Sequence, residues 1–183
     1  MVKQKAKLFL EHTLGLSDVR LAVEISCRQN DLTITGWVDE KTIKSDYDRV
    51  QVGKKKLAIL PDAYFTVETP TPKTLHFFLE YDRATEGLRA FNQKISAYLT
   101  YFRTGKSKAR FGTDLIRVLT VAEGGQTRQG TARIANLKEG AENLNARSRY
   151  WFSTLAQVAS EDILRAPIWG VASRSKPTSL ISS

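Results

Sequence analysis

One segment of the sequence constrains the fold more than any other: an amphipathic helix enclosed between two apolar strands. Large apolar side chains recur every three or four residues from Thr85 to Phe102, at Leu88, Phe91, Ile95, Tyr98, Leu99 and Phe102. This is the spacing of a helix with one buried face. The segments 74–82 and 114–121 on either side are short, apolar and typical of strands. A strand, a crossover helix and a second strand in this order favour a parallel pair.

The remaining patterns place further elements on both sides of this unit. We predict helices over 17–29 and 127–146, strands over 32–38, 57–68 and 150–155, and a polar loop or irregular hairpin over 41–56. The order α-β-β-β-α-β-α-β predicts an α/β fold with a mixed central sheet and flanking helices. We expect one domain over 17–172, after an N-terminal extension over 1–16 and before a disordered tail over 173–183.

Composition narrows the setting in which the chain works. The 183 residues carry 28 Lys and Arg against 19 Asp and Glu, a net charge of +9. This excess favours a polyanionic partner such as DNA, although a charge that serves only solubility is the alternative. No apolar run approaches the ~20 residues of a membrane span, and the start lacks the pattern of a signal peptide. With one cysteine, Cys27, we expect a cytoplasmic protein without a disulfide or membrane segment.

Three carboxylates occupy two of the predicted strands, where apolar neighbours make a charge costly. Glu80 and Asp82 share one face of their strand because side chains alternate, and Asp62 lies beside one of them if the two strands pair. Carboxylates this close repel each other unless a cation lies between them, and such oxygen ligands suit Mg²⁺ or Mn²⁺. Alternatively, the acids lie at strand ends and are solvated or paired with Arg83 or Arg20.

Lys94 borders the apolar face of the crossover helix, three residues after Phe91 and four before Tyr98. From there its ammonium group can reach toward the carboxylates, where it would orient an attacking water or stabilise the charge that develops on a phosphate. The alternative is a lysine whose stem packs at the helix edge while its ammonium group stays in water.

These segments together resemble two groups of known proteins. The PD of 61–62, the EYD of 80–82 and the helix with a lysine resemble the PD-(D/E)XK nuclease superfamily, which has an αβββαβ, restriction-endonuclease-like core. The closer resemblance, over roughly 14–170, is to the replication-relaxation family of plasmid and mobile-element proteins. It rests on the strings PDAYF (61–65), FFLEYDRATE (77–86), KISAY (94–98), YWF (150–152) and PIW (167–169).

The resemblance implies a DNA-acting protein of plasmid or mobile-element replication, with replication proteins and a second copy of the chain as candidate partners. It implies that Asp62 and Glu80 hold a divalent metal, Mg²⁺ or Mn²⁺, with Asp82 as a third ligand. The chain departs from the superfamily pattern at Asp82, which stands where a lysine is usual. Under one hypothesis Lys94 replaces that lysine and the protein is a metal-dependent endonuclease. Under a second, the fold binds DNA or assembles proteins without cleavage, and a basic scaffold for a protein partner is a third.

Several further residues have candidate roles. Glu24 on the first helix is a candidate for an additional acid of the site, or else a surface residue. His76 shares a strand face with Glu80 and either supports the site or packs across the strands.

The family usually carries a winged-helix region before this domain, for which the chain has no room. Basic side chains expected to contact phosphates are Lys54, Lys55, Lys56, Arg83, Lys106, Lys108 and Arg110.

Overall fold

The computed structural model describes residues 2–71, 73–123 and 128–181, of which 2–6, 8, 128 and 129 are described by their backbone alone. The helices are α1 (Val2–Gln29), α2 (Glu40–Ser45), α3 (Leu88–Arg103), α4 (Lys106–Phe111), α5 (Arg128–Asn143) and α6 (Leu155–Ser160). The strands are β1 (Thr33–Asp39), β2 (Arg49–Val52), β3 (Lys55–Ala58), β4 (Ala63–Thr69), β5 (Lys73–Asp82), β6 (Ile116–Ala122), β7 (Tyr150–Thr154) and β8 (Gly170–Val171). Within these ranges no helix is long and apolar enough to cross a membrane.

Six of the strands form one sheet in the order β1-β4-β5-β6-β7-β8. β4 pairs antiparallel with both β1 and β5, whereas β6 pairs parallel with β5 and with β7. The α/β class, the mixed central sheet and the parallel crossover through α3 are therefore confirmed. Because β5 and β6 are parallel, their carboxyl ends reach the same edge of the sheet, where Glu80 lies opposite Thr120 and Asp82 opposite Ala122.

Side chains of the sheet alternate between two apolar layers. On one face, Phe77, Leu79 and Tyr81 of β5 pack in the cluster that contains Val19 and Val23 of α1. On the other face, apolar side chains of the sheet pack against α3 and α5, among them Phe78, Ile95, Tyr98, Val118, Leu137 and Phe152. Since Glu80 follows Leu79, its side chain points into the layer occupied by α3.

The first helix is much longer than predicted. α1 begins at Val2 rather than near Ser17, because the segment before Ser17 is rich in Lys and Leu, which favour helix, and contains no proline. The expected extension over 1–16 is thus the first half of α1 over its described residues. Gly15 lets this half approach the sheet, since a Cβ there would lie 2.2 Å from Cζ of Tyr81.

The predicted strand over 57–68 is divided in the structure. β3 pairs with β2 in a separate two-stranded ribbon, and β4 of the main sheet begins only at Ala63. Gly53, at φ 58°, provides the left-handed turn of the ribbon. Pro61, which cannot donate to a ladder, stands between the two strands. The segment 41–56, predicted to be a polar loop or irregular hairpin, is therefore α2 followed by most of the β2–β3 hairpin, and the hairpin alternative is confirmed for its second half.

The segment expected to be a disordered tail is ordered over 173–181. Leu180 and Ile181 are 3% and 9% exposed and belong to the core. The Leu180 carbonyl accepts a hydrogen bond from Arg117 at 2.6 Å, and the Ile181 N–H donates to Leu164. Two apolar residues after a polar stretch thus anchor the segment in the core. The prediction of disorder was wrong because it rested on the composition of the polar stretch alone. The predicted start of the helix at residue 127 and the last two residues of the tail lie outside the described residues.

Removing the Leu180 side chain tests this assignment. We expect Leu180→Ala to lower the free energy of unfolding by about 2–5 kcal/mol, because the substitution leaves a cavity in the core. Leu115→Ala removes the same atoms from a side chain that is 75% exposed and should change stability by less than about 0.5 kcal/mol. Urea unfolding followed by circular dichroism measures both. Equal, small effects of the two substitutions would show that residues 173–181 do not pack as described.

Candidate active site at the carboxyl edge of the sheet

A pocket of about 350 Å³ opens where β5 ends. α1, α2, the start of β4, the end of β5, and α3 form its walls. Its lining is rich in charged and titratable side chains, namely His12, Glu40, Lys44, Asp62, Glu80, Asp82, Arg83, Glu86 and Lys94. All four residues predicted to form the metal and catalytic site, Asp62, Glu80, Asp82 and Lys94, thus line one pocket.

Asp62 is fixed by the first step of the β4–β5 ladder. Its N–H donates to the Leu79 carbonyl at 2.9 Å, and its Oδ2 accepts from the Tyr81 N–H at 2.8 Å. Since Ala63 pairs with Leu79, one further step of the antiparallel register puts Asp62 beside Glu80, as the sequence predicts. The other carboxylate oxygen, Oδ1, lies 3.4 Å from Nε2 of His12.

Glu80 is a buried acid with two partners on α3. Its side chain is 5% exposed, and Nζ of Lys94 donates to Oε2 at 2.7 Å. The hydroxyl of Tyr98 donates to Oε1. The crossover helix therefore delivers both groups to one carboxylate from positions four residues apart, which lie on the same helix face.

The surroundings of this carboxylate shift its titration toward neutrality. Burial and, to a smaller extent, the nearby charge of Asp62 raise the pKa of Glu80, while Lys94 and the hydroxyl of Tyr98 lower it, and together they bring this pKa to about 7. The charge of Glu80 in turn raises the pKa of Lys94, so that this lysine stays protonated. The pair provides a fixed cation beside a carboxyl group that can take up a proton near neutral pH.

Asp82 and Arg83 are engaged in partly buried ion pairs. Arg133 of α5 donates to both oxygens of Asp82, at 2.7 Å from Nε and 2.8 Å from NH2. Arg83 is 12% exposed and bridges Glu11 of α1 and Glu123. Both residues thus connect elements around the pocket. Their partners lie 40 or more residues away in sequence, and one of them, Glu11, lies in the first half of α1, which was not predicted to be helical. Sequence patterns therefore do not indicate these pairs.

Two site residues escaped the sequence analysis. His12 of α1 packs edge-on against the Tyr81 ring and reaches Asp62. The hydrogen bond with Asp62 raises the pKa of His12 although burial lowers it. Glu40 opens α2 directly after the helix cap at Asp39. One signal could have identified His12, since it continues the buried helical face of Leu16, Val19 and Val23 toward the N-terminus.

Two other candidate residues lie away from the pocket. Glu24 accepts a hydrogen bond from Arg20 at 2.9 Å on the surface of α1. His76 lies four positions before Glu80 on β5, about 13 Å away at 3.3 Å per residue. Its Nδ1 is 2.7 Å from the Tyr64 hydroxyl, and the two rings are stacked. His76 therefore has the cross-strand packing role that was the alternative to a role in the site.

The predicted phosphate-contacting residues other than Arg83 are exposed on two elements, the β2–β3 ribbon and α4. Lys54, Lys55 and Lys56 lie at the turn of the β2–β3 ribbon, and Lys106 and Lys108 lie on α4. The two elements are neighbours, since Lys106 Nζ donates to the carbonyl of Arg49 at 2.8 Å. Arg110 differs from these lysines because it pairs with Asp46 and Asp48. We call the five lysines the ribbon–α4 surface.

Comparison with known proteins gives one match. A family model described as replication-relaxation matches residues 3–116, which are 114 of the 183 residues. The matched span contains His12, Glu40, Asp62, Glu80 and Lys94. No curated protein and no solved structure matches the chain.

The raised pKa of Glu80 predicts how stability changes with pH. The folded state binds the Glu80 proton more tightly than the unfolded state, so this contribution to stability is complete below about pH 4.5 and is lost as the pH rises to about 7. Relative to Glu80→Gln, the wild type should lose roughly 3 kcal/mol of unfolding free energy over this interval. Lys94, Tyr98 and Asp62 are present in both proteins, so the difference between their urea unfolding curves reports on residue 80. A difference that does not vary with pH would mean that Glu80 titrates at its ordinary pKa.

Proposed function

The chain belongs to the replication-relaxation family, and we propose that it acts in replication as a divalent-metal-dependent endonuclease on DNA. Family membership indicates a role in plasmid or mobile-element replication. One observation supports the more specific activity: a carboxylate, Asp62, and a buried carboxylate–lysine pair, Glu80 with Lys94, meet in one pocket at the carboxyl edge of the sheet.

The chemistry of the donor atoms fits a hard cation. Asp62 has one oxygen bound to the backbone of β5, which leaves Oδ1 directed toward His12 in the pocket. Carboxylate oxygens are the ligands that Mg²⁺ and Mn²⁺ prefer. A cation bound at Asp62 would activate a water and neutralise charge on the phosphodiester.

The remaining groups would handle charge and protons. The Lys94 side chain is 32% exposed and its ammonium group is held by Glu80, so this group can donate to a phosphate oxygen or to the attacking water without reorganisation. Glu80, with its pKa near 7, can accept a proton near neutral pH. The basic ribbon–α4 surface would bind the flanking DNA backbone.

A second candidate function is DNA binding or assembly without cleavage. It is favoured by Asp82, which stands at the usual lysine position and has both oxygens bound to Arg133. Glu80 likewise has both oxygens occupied. A site of this kind can retain the architecture of a nuclease while its carboxylates serve as internal ion pairs.

Nicking of supercoiled plasmid in the presence of Mn²⁺ separates the two functions. We expect Asp62→Ala and Lys94→Met each to reduce the nicking rate roughly 100-fold or more, because each removes charge stabilisation at the phosphate. Glu24→Ala, outside the pocket on the same chain, should leave the rate unchanged. Circular dichroism confirms that the variants fold. If the wild type binds plasmid but produces no nicks with Mn²⁺ or Mg²⁺, the endonuclease proposal is wrong and the binding function takes its place.

A further inference from the structure

The pocket contains a set of three metal-ligating atoms, of which the sequence motifs mark only the one on Asp62. His12, Glu40 and Asp62 each offer one ligand atom, and these three atoms lie within 4.8 Å of one another. Nε2 of His12 and Oδ1 of Asp62 are 3.4 Å apart. Neighbouring ligands of a cation bound at 2.0–2.2 Å are separated by about 3 Å, so small side-chain movements suffice to place an ion between them.

The alternative ligands in the pocket are already engaged. Glu80 is bound by Lys94 and Tyr98, and Asp82 by Arg133, in contacts that are at least half buried. Glu40 differs from these acids, because its partner is Lys44, one turn along α2 and 55% exposed. An exposed pair of this type contributes little energy and is easily exchanged for a cation. Glu86, the remaining acid of the pocket, is 53% exposed and lies 3.8 Å from Lys94, on the α3 side. The contacts of Asp62 and Glu40 with His12 and Lys44 are the ones most easily exchanged for a cation, and they lie on the α1–α2 side of Asp62.

We propose that His12, Glu40 and Asp62 form the divalent-metal site of this chain and that the site prefers Mn²⁺ to Mg²⁺. Mg²⁺ favours an all-oxygen shell, whereas an imidazole nitrogen suits the transition metals. α1 would then supply a ligand from its first half, the part held against the sheet by Gly15 and Tyr81. Metal binding itself does not require cleavage, and only the use of the ion rests on the proposed function.

Titration of Mn²⁺ into the full chain without DNA tests the site, with free Mn²⁺ measured by electron paramagnetic resonance. We expect one site in the wild type, weakened about tenfold or more by His12→Gln, Glu40→Gln and Asp62→Asn. Competition with Mg²⁺ should show a smaller preference for Mn²⁺ in His12→Gln than in the wild type. Glu24→Gln, at a residue outside the pocket, serves as the control and should retain the site.

Two outcomes overturn this assignment. One is the absence of Mn²⁺ binding in the folded wild type. The other is loss of Mn²⁺ binding in Glu80→Gln but not in His12→Gln. This result would show that the ion binds to the carboxylates of the sequence motif instead. Normal Mn²⁺ binding together with no nicking of plasmid would instead overturn the endonuclease proposal and leave the metal site standing.

A separate observation concerns the outer face of α1. Leu10, Leu14, Leu21 and Ile25 are between 45% and 58% exposed. At 100° per residue they fall within an arc of about 60°, on the side of the helix opposite Val19 and Val23. Large apolar side chains gathered in this way form a patch of a kind that usually marks an interaction site. We call these four residues the α1 stripe.

The spacing of the α1 stripe is symmetric. The midpoint between Leu10 and Ile25 along the chain falls between Ser17 and Asp18. The midpoint between Leu14 and Leu21 falls at the same place. Two copies of α1 that pack antiparallel about a twofold axis at this point would place Leu10 against Ile25 and Leu14 against Leu21, twice each. A twofold interface requires this self-complementarity, whereas a different protein partner does not. We infer that a second copy of the chain covers the α1 stripe.

Sedimentation at several micromolar concentrations tests this interface. The wild type should dimerise, and Leu14→Ser combined with Leu21→Ser should weaken the dimer at least tenfold. Leu115→Ser, at an exposed leucine elsewhere, should have no effect. Asp18 lies beside the axis and would therefore lie next to Asp18 of the second copy, where the two negative charges repel each other. Asp18→Asn should therefore strengthen the dimer. A wild type that is monomeric throughout, or equal weakening by Leu115→Ser, would overturn the inference.

Discussion

The carboxylate of Glu80 and its two partners on α3 determine how the candidate site is assembled. A carboxylate on a side chain that is only 5% exposed is costly to keep charged unless it is paired and hydrogen-bonded, and Lys94 and Tyr98 supply both interactions. To do so, α3 must cross the sheet with one particular face toward β5. The crossover then leads into β6 parallel to β5, and the carboxyl ends of the two strands form the edge at which the pocket opens.

The other charged groups around this edge are arranged by distance from Glu80. Next to it, Asp62 is held by two backbone hydrogen bonds and directs one oxygen toward His12. Farther out, Arg133 and Arg83 link Asp82, Glu11 and Glu123 and thereby join α5 and α1 to the end of β5. The outer pairs hold the walls of the pocket in place, and the inner groups remain available for chemistry.

Sequence reasoning reached the parts of this arrangement that depend on local periodicity. Alternation along β5 put Glu80 on the helix side, and the helical spacing of Phe91, Lys94 and Tyr98 put the lysine within reach. It missed contacts between distant segments, such as Arg133 with Asp82. It also missed His12, because strong helix formers carry α1 well past the predicted start at Ser17. Leu180 and Ile181 were missed for a related reason: the polar composition around them hides two anchoring apolar side chains.

Both proposals for this pocket, between α1, β4 and β5, require that it binds a divalent cation. Anomalous X-ray diffraction from a crystal of the full chain soaked in Mn²⁺ tests it most directly, because the ion itself is located. We expect one strong anomalous peak in contact with Asp62 Oδ1, with His12 and Glu40 turned toward it. An anomalous map without a peak in this pocket, from a crystal in which Mn²⁺ is bound elsewhere or nowhere, would contradict it.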